Sequence, residues 1–104
     1  MLRISFEFRK GIFFIRLIGD LNKESYRDTL DEINELISVN KFKYIVINTN
    51  YLEKIDLIGL NCISEIVYIT KENNSNLIFC DKANIITRLI SSNVPSIANE
   101  LEVL

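Results

Sequence analysis

The chain has 104 residues, 48% of them hydrophobic and 25% charged, with three glycines and one proline, the make-up of one globular domain over residues 1–104. A formal net charge of −2 gives no general attraction for nucleic acid or an anionic membrane surface. With no histidine, Ser-His-Asp triads and His-based metal sites cannot be built, so composition argues against most enzymes and names no function; the expectation is a non-enzyme with no cofactor and no metal site.

Leu2, Ile4, Phe6 and Phe8 alternate with Arg3, Ser5, Glu7 and Arg9, the period-two pattern of a half-buried strand. Lys10-Gly11 supplies a tight turn, and Ile12 to Ile18 is a β-branched and aromatic run that reads as the antiparallel return strand, ended by Gly19-Asp20. Asn22 is placed to cap a helix over Lys23 to about Val39, because its side chain can accept from free first-turn amides. Tyr26, Leu30, Ile33 and Ile37 form its apolar stripe and Asn40 its left-handed end.

Tyr44 to Ile47 is a continuous apolar run, the mark of a central strand covered on both faces. Asn48 to Lys54 reads as a loop, and Asp56 as the N-cap of a second helix over Leu57 to Glu72. Asn76 to Cys80 reads as another buried strand, with Asp81 capping a third helix that carries Ile85, Ile86, Leu89 and Ile90 and stops at Asn93. Beyond Pro95, the apolar points Ile97, Leu101, Val103 and Leu104 fit a last helix or an edge strand equally well. The order β-β-α-β-α-β-α plus a short C-terminal element predicts an α/β fold, a small mixed sheet with helices packed over it.

Cys62 and Cys80 lack the C-x-x-C spacing and read as buried free thiols. The alternating first residues do not form a signal peptide. Leu57 to Thr70, interrupted by Asn61, Ser64 and Glu65, is too short and too polar for a membrane span. Both point to a cytoplasmic protein without membrane insertion. Gly11, Gly19 and Gly59 stand apart, not clustered as a phosphate-cradling loop requires. Phe13, Phe14 and Tyr26 could stack bases, but without a basic patch they read as core.

The stretch Tyr44-Ile-Val-Ile-Asn-Thr-Asn-Tyr-Leu-Glu-Lys-Ile-Asp-Leu-Ile-Gly-Leu60 resembles the centre of the STAS domain, the fold of bacterial anti-sigma factor antagonists, where a buried strand and a short loop lead into Ile-Asp-Ser-Ser/Thr-Gly-Leu. Gly19-Asp20-Leu21-Asn22 resembles the family's Gly-Glu-Leu-Asp, Asn76 to Cys80 its fourth strand, and Ile90 to Val94 the site of its Leu-Thr-Gly-Leu helix end. The resemblance implies a protein partner such as an anti-sigma factor, met through Asp56, Leu57, Ile58, Gly59 and Leu60 with Asn22 and Asn50 from adjoining loops. The alternative is a constitutive subunit of a larger STAS-containing assembly, a stress-signalling scaffold or a lipid-transport ABC complex.

The departures bear on regulation. Where phosphorylatable members carry the acceptor serine or threonine after the loop Asp, this chain has Leu57, followed by Ile58. Asn22 and Asn48 stand where acidic residues are frequent, and only Asp56 remains of the acidic setting. The resemblance therefore implies binding that is not switched by phosphorylation at the usual site, with Ser64 and Thr49 poor substitutes because each points into or along packed structure. Each binding candidate also has a plain structural reading. Asp56 serves as a helix cap, Gly59 allows a close helix-strand contact, and either Leu57 or Ile58 turns into the core.

Overall fold

The computed structural model describes all 104 residues. Strands β1 (Leu2–Arg9) and β2 (Ile12–Leu21) form an antiparallel hairpin. Its two-residue turn places both Lys10 (φ 53°) and Gly11 (φ 80°) in the left-handed region, the combination that matches the natural twist of paired strands. Helix α1 (Tyr26–Asn40), β3 (Tyr44–Asn48), β4 (Leu52–Ile55), α2 (Leu57–Glu72), β5 (Asn76–Cys80), α3 (Ile85–Leu89) and β6 (Ser96–Ile97) follow, with single 3-10 turns at Lys82–Asn84 and Glu100–Val103. The sheet runs β1-β2-β3-β5-β6, with β4 paired beside the end of β2, and every pairing except β1-β2 is parallel. The predicted α/β class and the order of its main elements hold.

The register sorts side chains onto two faces. Phe13, Ile45 and Leu77 lie in one row and Ile15, Ile47 and Phe79 in the next, both beneath α1 and α2, which add Leu30, Ile33, Ile37, Cys62, Ile63 and Ile66 to the buried core. Phe13 stacks between Phe6 and Phe42, at 5.6 and 3.9 Å between ring centroids. The alternate rows, Phe14-Val46-Ile78 and Arg16-Asn48-Cys80, face the opposite side. There Val103 and Leu104 pack on Phe14, Val46 and Cys80. The central strand is thus covered on both faces, by helices on one and by the chain's last residues on the other.

Several boundaries differ from those read in the sequence. β2 continues through Gly19-Asp20 to Leu21, because Tyr51 O accepts from Gly19 N (3.0 Å) and Met1 O from Asp20 N (3.2 Å). The end of the predicted loop, together with Ile55, pairs with this extension and becomes β4. Helix α1 starts at Tyr26 rather than Lys23, because Asn22 Oδ1 accepts from the amides of Glu24 (3.0 Å) and Ser25 (3.2 Å) and closes a separate turn ahead of the helix. Its end shifts by one residue: Asn40 stays helical, donating from Nδ2 to Leu36 O (2.9 Å), and Lys41 takes the left-handed position.

The third helix is shorter than predicted. Ala83 and Asn84 have positive φ and interrupt it before Ile85, and it ends at Leu89, leaving Ile90 outside and Asn93 beyond the stop. Asp81 still serves it, since buried Oδ2 accepts from Thr87 N (2.8 Å). The C-terminal segment takes both forms left open, a two-residue strand beside β5 and then a 3-10 turn. Cys62 and Cys80 are buried free thiols, and Phe13 and Phe14 lie in the core, with Tyr26 packed against it. Ser64 corrects its expectation, facing solvent on α2, whereas Thr49 is buried with its hydroxyl on Cys80 O (3.3 Å). No helix is long and apolar enough to cross a membrane.

Candidate functional site

Helix α2 begins immediately after β4, with Asp56 between them. The Asp56 backbone is extended (φ −103°, ψ −175°), and Oδ1 accepts from Gly59 N at 2.7 Å, the N-cap arrangement that satisfies a free first-turn amide. Oδ2 accepts from Lys23 N at 3.3 Å. One carboxylate therefore joins the start of α2 to the turn before α1, placing Asn22 beside the Asp56–Leu60 segment.

Gly59 sets how closely this end of α2 approaches the sheet. A Cβ there would lie 2.2 Å from Leu21 O and 2.8 Å from Ile55 Cγ1, well inside contact distance, so only glycine lets the first turn lie on β2 and β4. With that turn pinned, the neighbouring side chains are directed outward. Leu57 is 78% exposed and Ile58 39%, while Leu60 is half-buried against the core. Neither Leu57 nor Ile58 turns inward. They form an apolar pair on a rigid, capped helix start.

Asn50 does not join this group. Its Nδ2 donates to Ala98 O (2.8 Å) and Cys80 Sγ (3.3 Å), and its Oδ1 accepts from Lys82 N (2.7 Å). Asn50 thus braces three chain segments and lines a groove of about 680 Å3 in which Leu52 and Ile55 of β4 stand across from Ala83, Ile85 and Ile86. Asn48 is buried, its Nδ2 donating to Glu100 at 2.6 Å. The structure brings together Asn22, Asp56, Leu57, Ile58, Gly59 and Leu60, and sets Asn50 apart.

The sequence reading missed two features. Ile85 and Leu89, apolar points of the predicted third helix, are exposed, and Ile85 lines the groove, because the positive-φ residues Ala83 and Asn84 confine the helix to one short turn. The second is a charged cluster on the sheet. Arg16 Nε and a terminal guanidinium nitrogen donate to Glu100 at 2.8 and 2.7 Å, and the same terminal nitrogen donates to Glu7 at 2.6 Å. Its sequence signal was Arg16 itself, a lone charge within the apolar run Ile12 to Ile18. Hydrogen bonds from Arg16, aided by Asn48 and opposed by burial, hold the Glu100 carboxyl below the usual carboxylate range.

No family model matches the sequence. Among solved structures, the chain is similar to the anti-sigma factor antagonist SpoIIAA in its unphosphorylated form, at a TM-score of 0.77 and 14% identity over 99% of this chain and 93% of that one. It is similar to a serine-to-glutamate variant of RsbS from Moorella thermoacetica, at a TM-score of 0.79 and 13% identity over 95% and 89% of the two chains. Mglu matches at a TM-score of 0.68 and 20% identity over 78% of this chain, which spans only 20% of Mglu. The fold is the STAS fold seen in anti-sigma factor antagonists.

Proposed function

We propose that this chain is a non-catalytic protein-binding module of the cytoplasm that acts as an anti-sigma factor antagonist, capturing an anti-sigma factor through the start of α2. The carrying observation is the pair Leu57 and Ile58, both exposed on a helix turn fixed by Asp56 and Gly59. A rigid apolar pair loses little conformational freedom on association and can fill a partner's pocket, as the anchor residues of protein interfaces do. Asn22, held beside the site through the Lys23-Asp56 contact, and Leu60, which backs the turn from the core side, complete the surface. Asn50 supports it indirectly by bracing the loop that leads into β4.

In this reading the surface is constant. A phosphate on a hydroxyl after Asp56 would place about two negative charges beside that carboxylate and repel or re-order a partner; Leu57 has no hydroxyl to accept it. The decisive experiment is calorimetric titration of the purified chain against an anti-sigma factor from the same genome, with Leu57→Asp alongside. The reading expects binding by the natural chain and at least a tenfold loss in the variant, the effect of removing an interface anchor. Equal affinity of both would sink it. Incubation with the partner kinase and ATP is the companion test, and phosphate on any residue that abolishes capture, the exposed Ser64 of the same helix first among them, would refute the constant surface.

A further inference from the structure

The C-terminal residues Ala98 to Leu104 cross the sheet face that carries no helix. A set of internal hydrogen bonds closes them into a turn of their own. Asn99 and Glu102 form a reciprocal capping box, with Glu102 Oε2 accepting from the amides of Ala98 (2.7 Å) and Asn99 (3.0 Å) and Asn99 Oδ1 from Leu101 N (3.0 Å). Leu101 is 79% exposed and contributes nothing to the cover. The segment is held down at separate points: Glu100 on Arg16 and Asn48, Ala98 O on Asn50, Leu104 O on Lys10 Nζ at 3.4 Å, and the side chains of Val103 and Leu104.

We infer that Ala98 to Leu104 is a releasable strap, latched by the Arg16-Glu100 pair, that opens from the sheet while the helix layer stays folded. Cooperative units open separately when few apolar contacts tie them to the rest. The strap keeps its own turn when it lifts, since the capping box lies wholly within it. Release uncovers Ile12, Phe14, Val46 and Ile78 beside Arg16, an apolar strip on the face opposite α1 and α2 and independent of the start of α2.

The molecule carries a reporter for each face. Cys80 lies under the strap, its thiol donating to Ala98 O at 3.7 Å, whereas Cys62 lies under the helices, donating to Tyr26 O at 3.8 Å. Burial pushes both thiols up, Cys62 to about 12 and Cys80 to about 11, so both are unreactive while covered. The test labels the full chain with N-ethylmaleimide under native conditions and follows each cysteine by peptide mass spectrometry. Cys80 is expected to react at least about tenfold faster than Cys62, and Glu100→Gln to accelerate Cys80 by about a further tenfold without changing Cys62. Cys80 reacting no faster than Cys62 in the natural chain overturns the strap. So does a Glu100→Gln chain in which both thiols accelerate together, because only global unfolding would then expose them.

Discussion

Between the sheet and helices α1 and α2 lie Ile15, Leu17, Ile33, Ile37, Ile45, Ile47, Ile63, Ile66 and Phe79, every one fully buried. On the opposite face only Phe14, Val46 and Cys80 form a buried cluster, and a guanidinium held between two carboxylates crosses beside them. Burial of apolar surface is non-directional and cumulative, so the helix face is closed by many small contributions that no single contact controls. The strap face depends on a few directional bonds whose strength varies with charge state and salt. One sheet thus carries a permanent cover and a conditional one.

The sharpest way to break this contrast is to damage the permanent cover. Ile63→Ala leaves a cavity where α2 meets the sheet and should cost about 2–5 kcal/mol of unfolding free energy, measured by urea titration. Both thiols should then label faster together, because the loss acts on the whole domain. A loss under about 1 kcal/mol would mean that the helix layer is packed no more firmly than the strap.

Gly59→Ala is next in size. Its added methyl must displace Leu21 O or Ile55, and overpacking of this kind costs about 1–3 kcal/mol. The strain falls on the first turn of α2, so the variant should also weaken partner capture beyond what its stability loss explains, as read by titration below its unfolding midpoint. Unchanged stability would show that the turn can lift from β2 freely, contrary to the pinned geometry.

Glu100→Gln addresses the conditional cover and should cost about 1–2 kcal/mol, since a hydrogen-bonded charge is lost from a site that is only partly exposed. The pH dependence has a defined sign. The folded-state pKa of Glu100 lies below its unfolded value, so its contribution is fully present above the unfolded value of about 4.3 and disappears as pH falls through the lower folded value. The natural chain should therefore lose stability relative to Glu100→Gln as the solution is acidified below about pH 4.3, and urea midpoints of the two chains should converge. Parallel curves across that range would remove Glu100 from the latch.

The contrast between the faces also explains what could be read in advance. Helix α2 and β5 were legible to the residue, because Asp56 is an unambiguous cap and Asn76 to Cys80 an unbroken apolar run. Features that rest on long-range backbone pairing were not. Leu52 to Ile55 becomes a strand only because β2 extends past Gly19 to meet it, and no local pattern encodes a partner more than thirty residues away. The early turn at Asn22 to Ser25 is a local competition between a side chain and the helix for the same amides, which propensity alone does not decide. In the site, Asp56 and Gly59 were readable as cap and close contact, but the outward direction of both Leu57 and Ile58 depends on how Gly59 seats the helix on Leu21. Asn50 joins them only through the resemblance, and its bonds to Lys82 and Ala98, which hold it against the C-terminal segments, have no local signal in the sequence.

The smallest expected change in stability carries the most information about that surface. Leu57 is 78% exposed, so Leu57→Ser should alter unfolding free energy by no more than about 0.5 kcal/mol. A loss above about 1 kcal/mol would show the side chain packed in solution and would remove it from the interface. With folding unaffected, the substitution isolates two properties of the α2 start. It shortens an apolar anchor, so affinity for the anti-sigma factor should fall, and it places a hydroxyl directly after Asp56, on a turn that Gly59 still presents to solvent. Incubation with the partner kinase and ATP should then add phosphate to the variant and not to the natural chain. Phosphate on both would locate the acceptor elsewhere, with the exposed Ser64 the first residue to examine. Phosphate on neither would mean that the turn has lost the geometry a kinase needs as well as the hydroxyl, so that the constant character of this surface resides in its shape and not in one side chain.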